Sequence, residues 1–128
     1  MVYIDANIII RYLLKDIDEQ FIISKSIIEG GVDSFVPNEV MSELIYVLTK
    51  IYKIDKTQTS EIIIELINKD YFKLDSKRIM VNALNIFATN NIDFVDCILC
   101  ATSKLTDNTV ETFDKKLKKC INDKNKLY

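Results

Sequence analysis

Histidine is absent from this sequence, so any chemistry the chain performs falls to other side chains. Ser-His-Asp and Cys-His triads, histidine-pair phosphodiester chemistry and the zinc-protease helix cannot be written. The two glycines, Gly30 and Gly31, are adjacent, which leaves neither a Walker A loop nor a dinucleotide fingerprint. Carboxylates remain. Those whose positions invite chemistry are Asp5, Glu43, Asp96 and Asp114.

Each of these acids has an ordinary structural explanation when taken alone. Asp5, just before Asn7, could cap a first helix; Asp93 and Asp96, three apart, imitate a capping box; Asp114 could cap a last helix. Glu43 falls at the margin of the apolar stripe formed by Val40, Leu44 and Val47, where desolvation costs free energy unless a cation or donor meets it. Asp96 lies in a segment apolar on nearly every side, which places it at an enclosed end. Gathered in one pocket, such carboxylates would repel one another and resist ionisation. A hard divalent cation with oxygen ligands, Mg²⁺ or Mn²⁺, resolves that conflict and supports in-line displacement at phosphorus without histidine.

Directly after Asp114 come Lys115, Lys116, Lys118 and Lys119, with Lys124 and Lys126 further on. Alone, the cluster reads as the solvated face of a C-terminal helix. Beside an acidic metal site it becomes a patch that steers phosphates. The net charge of −2 gives no global signal for nucleic acid.

The elements that must carry these residues follow from periodicity and breakers. Residues 2–4 are a short apolar run of β-formers, consistent with a buried strand ending at Asp5. Helices are expected over about 7–15 and 17–29, the second stopped by Gly30-Gly31. Ser34-Phe-Val36 reads as a strand closed by Pro37, with Asn38 as the N-cap of a helix whose face is Val40, Leu44, Val47, Leu48 and Ile51. Another helix is expected over 55–68, then an extended piece at 71–74. Met80, Ala83, Leu84 and Phe87 mark the face of the next helix. A further helix runs from an Asp93 cap to about Leu105. Residues 109–113 read as a strand ending at Asp114, followed by the lysine-rich helix; residues 126–128 read as a frayed end or a short edge strand. Strands alternating with helices predict an α/β fold with a mainly parallel sheet, and ligands bind such sheets beyond the carboxyl ends of the strands. Asp5 and Asp114 are both expected there.

At 128 residues the chain has the length of one domain, taken here as 1–128. Hydrophobic residues at 48% and charged residues at 28% match a globular balance. The N-terminus shows no leader pattern and no apolar run reaches a membrane span. Three cysteines, Cys97, Cys100 and Cys120, form no disulfide framework and read as small core residues of a reducing, cytoplasmic compartment.

The stretches IDANIIIRYLL, VPNEVMSELIYVL, IDFVDCILCAT and VETFDKKL, in that order, resemble the four acidic blocks of PIN-domain proteins, particularly the VapC-like toxins. The resemblance spans Ile4 to Leu117. It implies that Asp5, Glu43, Asp96 and Asp114 are the metal-binding acids, with Asn7, Asp93 and Thr112 as supporting polar residues. It further implies a three-layer α/β/α sandwich, cleavage of RNA dependent on Mg²⁺ or Mn²⁺, an antitoxin protein as partner, and a homodimer. Other readings fit parts of the pattern. A receiver-like domain wants an acidic pair after its first strand, and a haloacid-dehalogenase-like domain wants two aspartates flanking one residue, whereas here the order is Asp5-Ala-Asn7. A binding module that lost its chemistry would not need all four acids.

Overall fold

The computed structural model describes residues 1–123. The expectation for 126–128, and Lys124 and Lys126 with it, lies outside the described residues. Three short strands, β1 (Val2–Tyr3), β2 (Ser34–Val36) and β3 (Lys73–Leu74), pair in the order β1-β2-β3, all parallel. Val2 stands opposite Ser34, and Phe35 opposite Lys73. Parallel pairing demands crossovers, and helices supply them. α1 (Ala6–Leu14) and α2 (Asp18–Glu29) link β1 to β2, while α3 (Asn38–Tyr46) and α4 (Lys56–Ile67) link β2 to β3. α5 (Lys77–Thr89), α6 (Phe94–Leu105) and α7 (Lys115–Asn122) complete the α/β/α arrangement.

The core is aliphatic. Ile4, Ile9, Leu44, Leu48, Ile63, Leu84 and Ile86 are almost wholly excluded from solvent. The face expected from Met80, Ala83, Leu84 and Phe87 is buried as a set on α5. Its partners are α4 and α6, the helices packed on either side of it. Side chains close the helix starts: Asp55 accepts from the Gln58 N–H at 2.7 Å, and Ser76 accepts from that of Ile79 at 3.2 Å.

Several expectations are corrected. β1 is an edge strand whose Val2 and Tyr3 are exposed, and of the run only Ile4 is buried. Pro37, not Asn38, is the cap residue of α3; Asn38 is its first helical residue, and its N–H is met from across the fold by Asp75 Oδ2 at 2.9 Å. The helix does not run on regularly to Ile51. Val47–Ile51 is a π-helical turn, in which the Tyr52 N–H reaches back to the Val47 carbonyl at 3.0 Å. The wider turn rotates later residues off the apolar stripe, so Ile51 is 61% exposed although the periodicity placed it inside. Residues 109–113 form no strand. Val110 and Thr112 are half-buried while their neighbours are exposed, Phe113 fully. Side chains bond the backbone at both borders of the segment: Thr106 Oγ1 accepts from the Asn108 N–H at 3.1 Å, and Thr112 Oγ1 from that of Asp114 at 3.0 Å. Local bonds of this kind compete with a strand ladder.

The cysteine expectation is overturned as well. Cys100 on α6 and Cys120 on α7 are joined in a disulfide. The two helices pack side by side, with the Cα atoms 6.1 Å apart, inside the normal bridging range. Cys97, three residues before Cys100, is buried in the core, and burial pushes its thiol up to about 12. The cysteines therefore give no argument for a reducing compartment. With a sequence separation of 20, losing the bond by Cys100→Ser and Cys120→Ser should cost roughly 3 kcal/mol in denaturant unfolding. Thiol titration of the unreduced, denatured chain should find Cys97 alone; three reactive thiols would mean that the helices are not tied.

Candidate active site

Helix N-termini carry the acids. Asp5 follows β1 and caps α1, with Oδ1 accepting from the Ala6 N–H at 2.7 Å. Asp114 caps α7, with Oδ1 accepting from the Leu117 N–H at 2.8 Å. Asp93 is the cap residue of α6 but makes no capping bond with its side chain, and Asp96 sits in that helix's first turn. The positive ends of helix dipoles favour all four. The capping explanation thus holds for Asp5 and Asp114 and fails for Asp93.

The fold brings Asp93, Asp96 and Asp114 together, because α7 packs along α6 and the two helices start side by side. Asp96 feels this most. Its half-buried carboxyl is held above the ordinary carboxylate range by burial first, then by the Asp114 and Asp93 charges. No ion pair among the described residues involves them. The ion pairs among the described residues, Arg11–Asp16, Asp33–Lys73 and Asp70–Lys77, all lie elsewhere. Glu43 differs from expectation: it is exposed on α3, so no desolvation singles it out. Its helix nevertheless packs against both α1 and α6, which carry Asp5 and Asp96. Asn7 is exposed in the first turn of α1, and Thr112 fixes the backbone leading into Asp114.

As the side chains stand, no three acids among the described residues lie close enough to hold a metal ion. The donor set still fits a hard divalent cation, being all carboxylate with an uncompensated cluster at its centre.

Lysines lie near the acids in two places. Lys115, Lys116, Lys118 and Lys119 are exposed on α7, whose Leu117 and Cys120 face the core. Only Lys116 and Lys119 of these line a cavity of about 230 Å³ beside Asn91 and Ile92. A larger groove of about 810 Å³, which shares Asn91 and Ile92 with that cavity, opens beside Asp93 and Asp96. Lys50, Lys53 and Lys56 line it; their regular spacing of three was the sequence signal for this second basic strip, which the lysine-rich end of the chain overshadowed. A cavity of about 490 Å³ near Ser34 and Lys73 lies at the opposite end of the strands and holds none of these acids.

Comparison with known proteins decides the kinship, since the PIN-domain pattern matches residues 2–120. The chain belongs to the PIN-domain family. A VapC ribonuclease of Aquifex aeolicus (strain VF5) is 25% identical over 125 residues, covering 93% of this chain and 91% of that protein. No solved structure matches the chain. As a PIN domain it joins a parallel sheet to acids set on helix starts, and the family match reaches from β1 through Asp114 to Cys120.

Proposed function

We propose that the chain is a Mg²⁺- or Mn²⁺-dependent endoribonuclease and the toxin of a toxin–antitoxin pair. The observation that carries this reading is the half-buried Asp96 carboxyl, flanked by Asp93 and Asp114 with no ion pair among the described residues to offset them, in a PIN-family chain. Likeness to a protein named a VapC ribonuclease supports RNA as the substrate and an antitoxin as the partner. The reading includes a homodimer working in the cytoplasm.

Asp5, Glu43, Asp96 and Asp114 would hold the ion, which when bound supplies Lewis-acid stabilisation of charge at phosphorus and activation of water. The capping bonds to Ala6 and Leu117 fix one oxygen each of Asp5 and Asp114, leaving the other to turn toward the cluster. Thr112 steadies the Asp114 backbone, while Asn7 and Asp93 add polar support at the same helix starts. Lys115, Lys116, Lys118 and Lys119 draw the RNA backbone toward the acids.

Purified protein should cleave RNA in millimolar Mg²⁺ or Mn²⁺ and stop in EDTA, and its expression alone should arrest bacterial growth. Cleavage that persists in EDTA would refute the metal dependence. Unimpaired growth at verified expression of active enzyme would refute the toxin role and leave the nuclease standing.

A further inference from the structure

The disulfide and two of the acids share the same pair of helices. Asp96 and Cys100 are four residues apart on α6, one turn along the same face. On α7, Cys120 follows the Asp114 cap by six residues, and the two helices start side by side. At a rise of about 1.5 Å per residue, the bond crosses between them about 6–9 Å along from the acids. Asp114 also lies inside the loop that the bond closes, of which residues 106–114 form neither helix nor strand.

Little else holds α7. Eight residues are too few for a helix to stand alone, and Leu117 and Cys120 are the two it buries. Its packing is chiefly on α6. Lys104 Nζ donates to the Asp123 carbonyl at 2.8 Å, but that bond ties the end of α7 remote from Asp114. The half that carries Asp114 depends on Leu117 and the disulfide.

The two sulfurs differ in access. Cys100 is closed to solvent, whereas Cys120 is 8% exposed and lines the cavity of about 230 Å³ together with Lys104, Lys116 and Lys119. Asp123 is the one acid in that lining, so the cavity is net positive among the described residues. A small acidic thiol would bring to Cys120 Sγ both the charge the lysines attract and the nucleophile that opens a disulfide.

We propose that the Cys100–Cys120 bond is an exchangeable latch on the acidic centre, opened at Cys120 by a small acidic thiol seated beside Lys116 and Lys119. Closed, the latch keeps α7 on α6 and Asp114 beside Asp96. A thiolate attacks Cys120 Sγ, the S–S bond breaks, and Cys100 leaves with the electron pair and takes a proton from water. A second thiolate attacks the reagent's own sulfur and departs with it as a disulfide, and Cys120 takes up a proton in turn. Two thiols are oxidised for one protein bond reduced. With the latch open, α7 comes off α6 and carries Asp114 away. The inference rests on the ribonuclease reading only for the metal ion that the latch controls.

Glutathione, a dicarboxylate, and uncharged 2-mercaptoethanol are the probes. Protein opened by glutathione and desalted without air should lose the hydrogen-exchange protection of α7, while α4 and α5 keep theirs. It should also bind Mn²⁺ about 10-fold more weakly by calorimetry. Oxidised glutathione should restore both. Cys100→Ser with Cys120→Ser should match the opened protein and ignore thiols; the reversible comparison in the parent holds even if that variant does not fold. Lys116→Gln with Lys119→Gln should slow opening by glutathione about 10-fold and leave opening by 2-mercaptoethanol unchanged. Equal rates for variant and parent with glutathione overturn the lysine seat. A bond that glutathione leaves closed, an α7 still protected once it is open, or an unchanged Mn²⁺ affinity overturns the latch. Loss of α7 protection in a chain that binds no Mn²⁺ in either state overturns the ribonuclease reading and leaves α7 tied by the bond.

Discussion

Asp96→Asn should leave a folded protein whose RNA cleavage falls by more than about 100-fold, since loss of a residue that merely orients a metal ligand already costs 10–100-fold. Among the acids, Asp96 carries the test best. It has no capping duty, it makes no hydrogen bond among the described residues, and it sits half-buried against Asp93 and Asp114. Asn preserves its size, so packing at the start of α6 is kept and only the charge is lost. Circular dichroism and the melting curve check that the fold survives. Asp33→Asn is the control: it breaks an exposed pair with Lys73 beside the cavity at the opposite end of the strands, and cleavage should be unchanged. Undiminished cleavage by Asp96→Asn, once a contaminating nuclease is excluded, would remove Asp96 from the site.

The helices were legible in the sequence because their signals are local. Period-3.6 apolar faces, the Gly30-Gly31 stop, Pro37 and the Asp or Ser caps are each written within a few residues of where they act. The blocks that carry the acids were legible for the same reason, as short ordered motifs. What the sequence hid is settled by partners distant along the chain. The Cys100–Cys120 bond depends on α7 lying along α6, and the same packing brings Asp114 up to Asp96. Residues 109–113 alternate like a strand, yet a strand exists only where a ladder partner lies alongside, and among the described residues none pairs with them. The π-helical turn defeated periodicity from within, by changing the period itself and turning Ile51 outward. Glu43 went wrong for a related reason. A residue at the edge of an apolar stripe can face either way, and the packing of α3 turned it to solvent.

Electrostatics separates a metal site from a set of helix caps, and the separation should be large in metal affinity. Asp96→Asn should weaken Mn²⁺ binding by calorimetry at least about 10-fold, as expected when a donor is lost. Without metal the stability change should run the other way. The folded chain holds the Asp96 proton more tightly than the unfolded chain, where the group titrates near roughly 3.9. Stability is then greatest below that unfolded value and falls as the pH rises through the folded one. The loss is complete once Asp96 is ionised in both states, and a bound cation reverses it. In EDTA at neutral pH, Asp96→Asn should therefore melt at or above the parent, with a flatter dependence on pH and little of the parent's rise in Mn²⁺. Asp114 carries both duties, so two substitutions resolve them. Asp114→Asn keeps an oxygen for the Leu117 N–H and should lose only metal response, whereas Asp114→Ala should also lose about 1 kcal/mol with or without metal. If Asp96→Asn and Asp114→Asn both melt lower in EDTA and keep the parent's full response to Mn²⁺, these carboxylates are caps and surface charges, and the proposed centre has no metal.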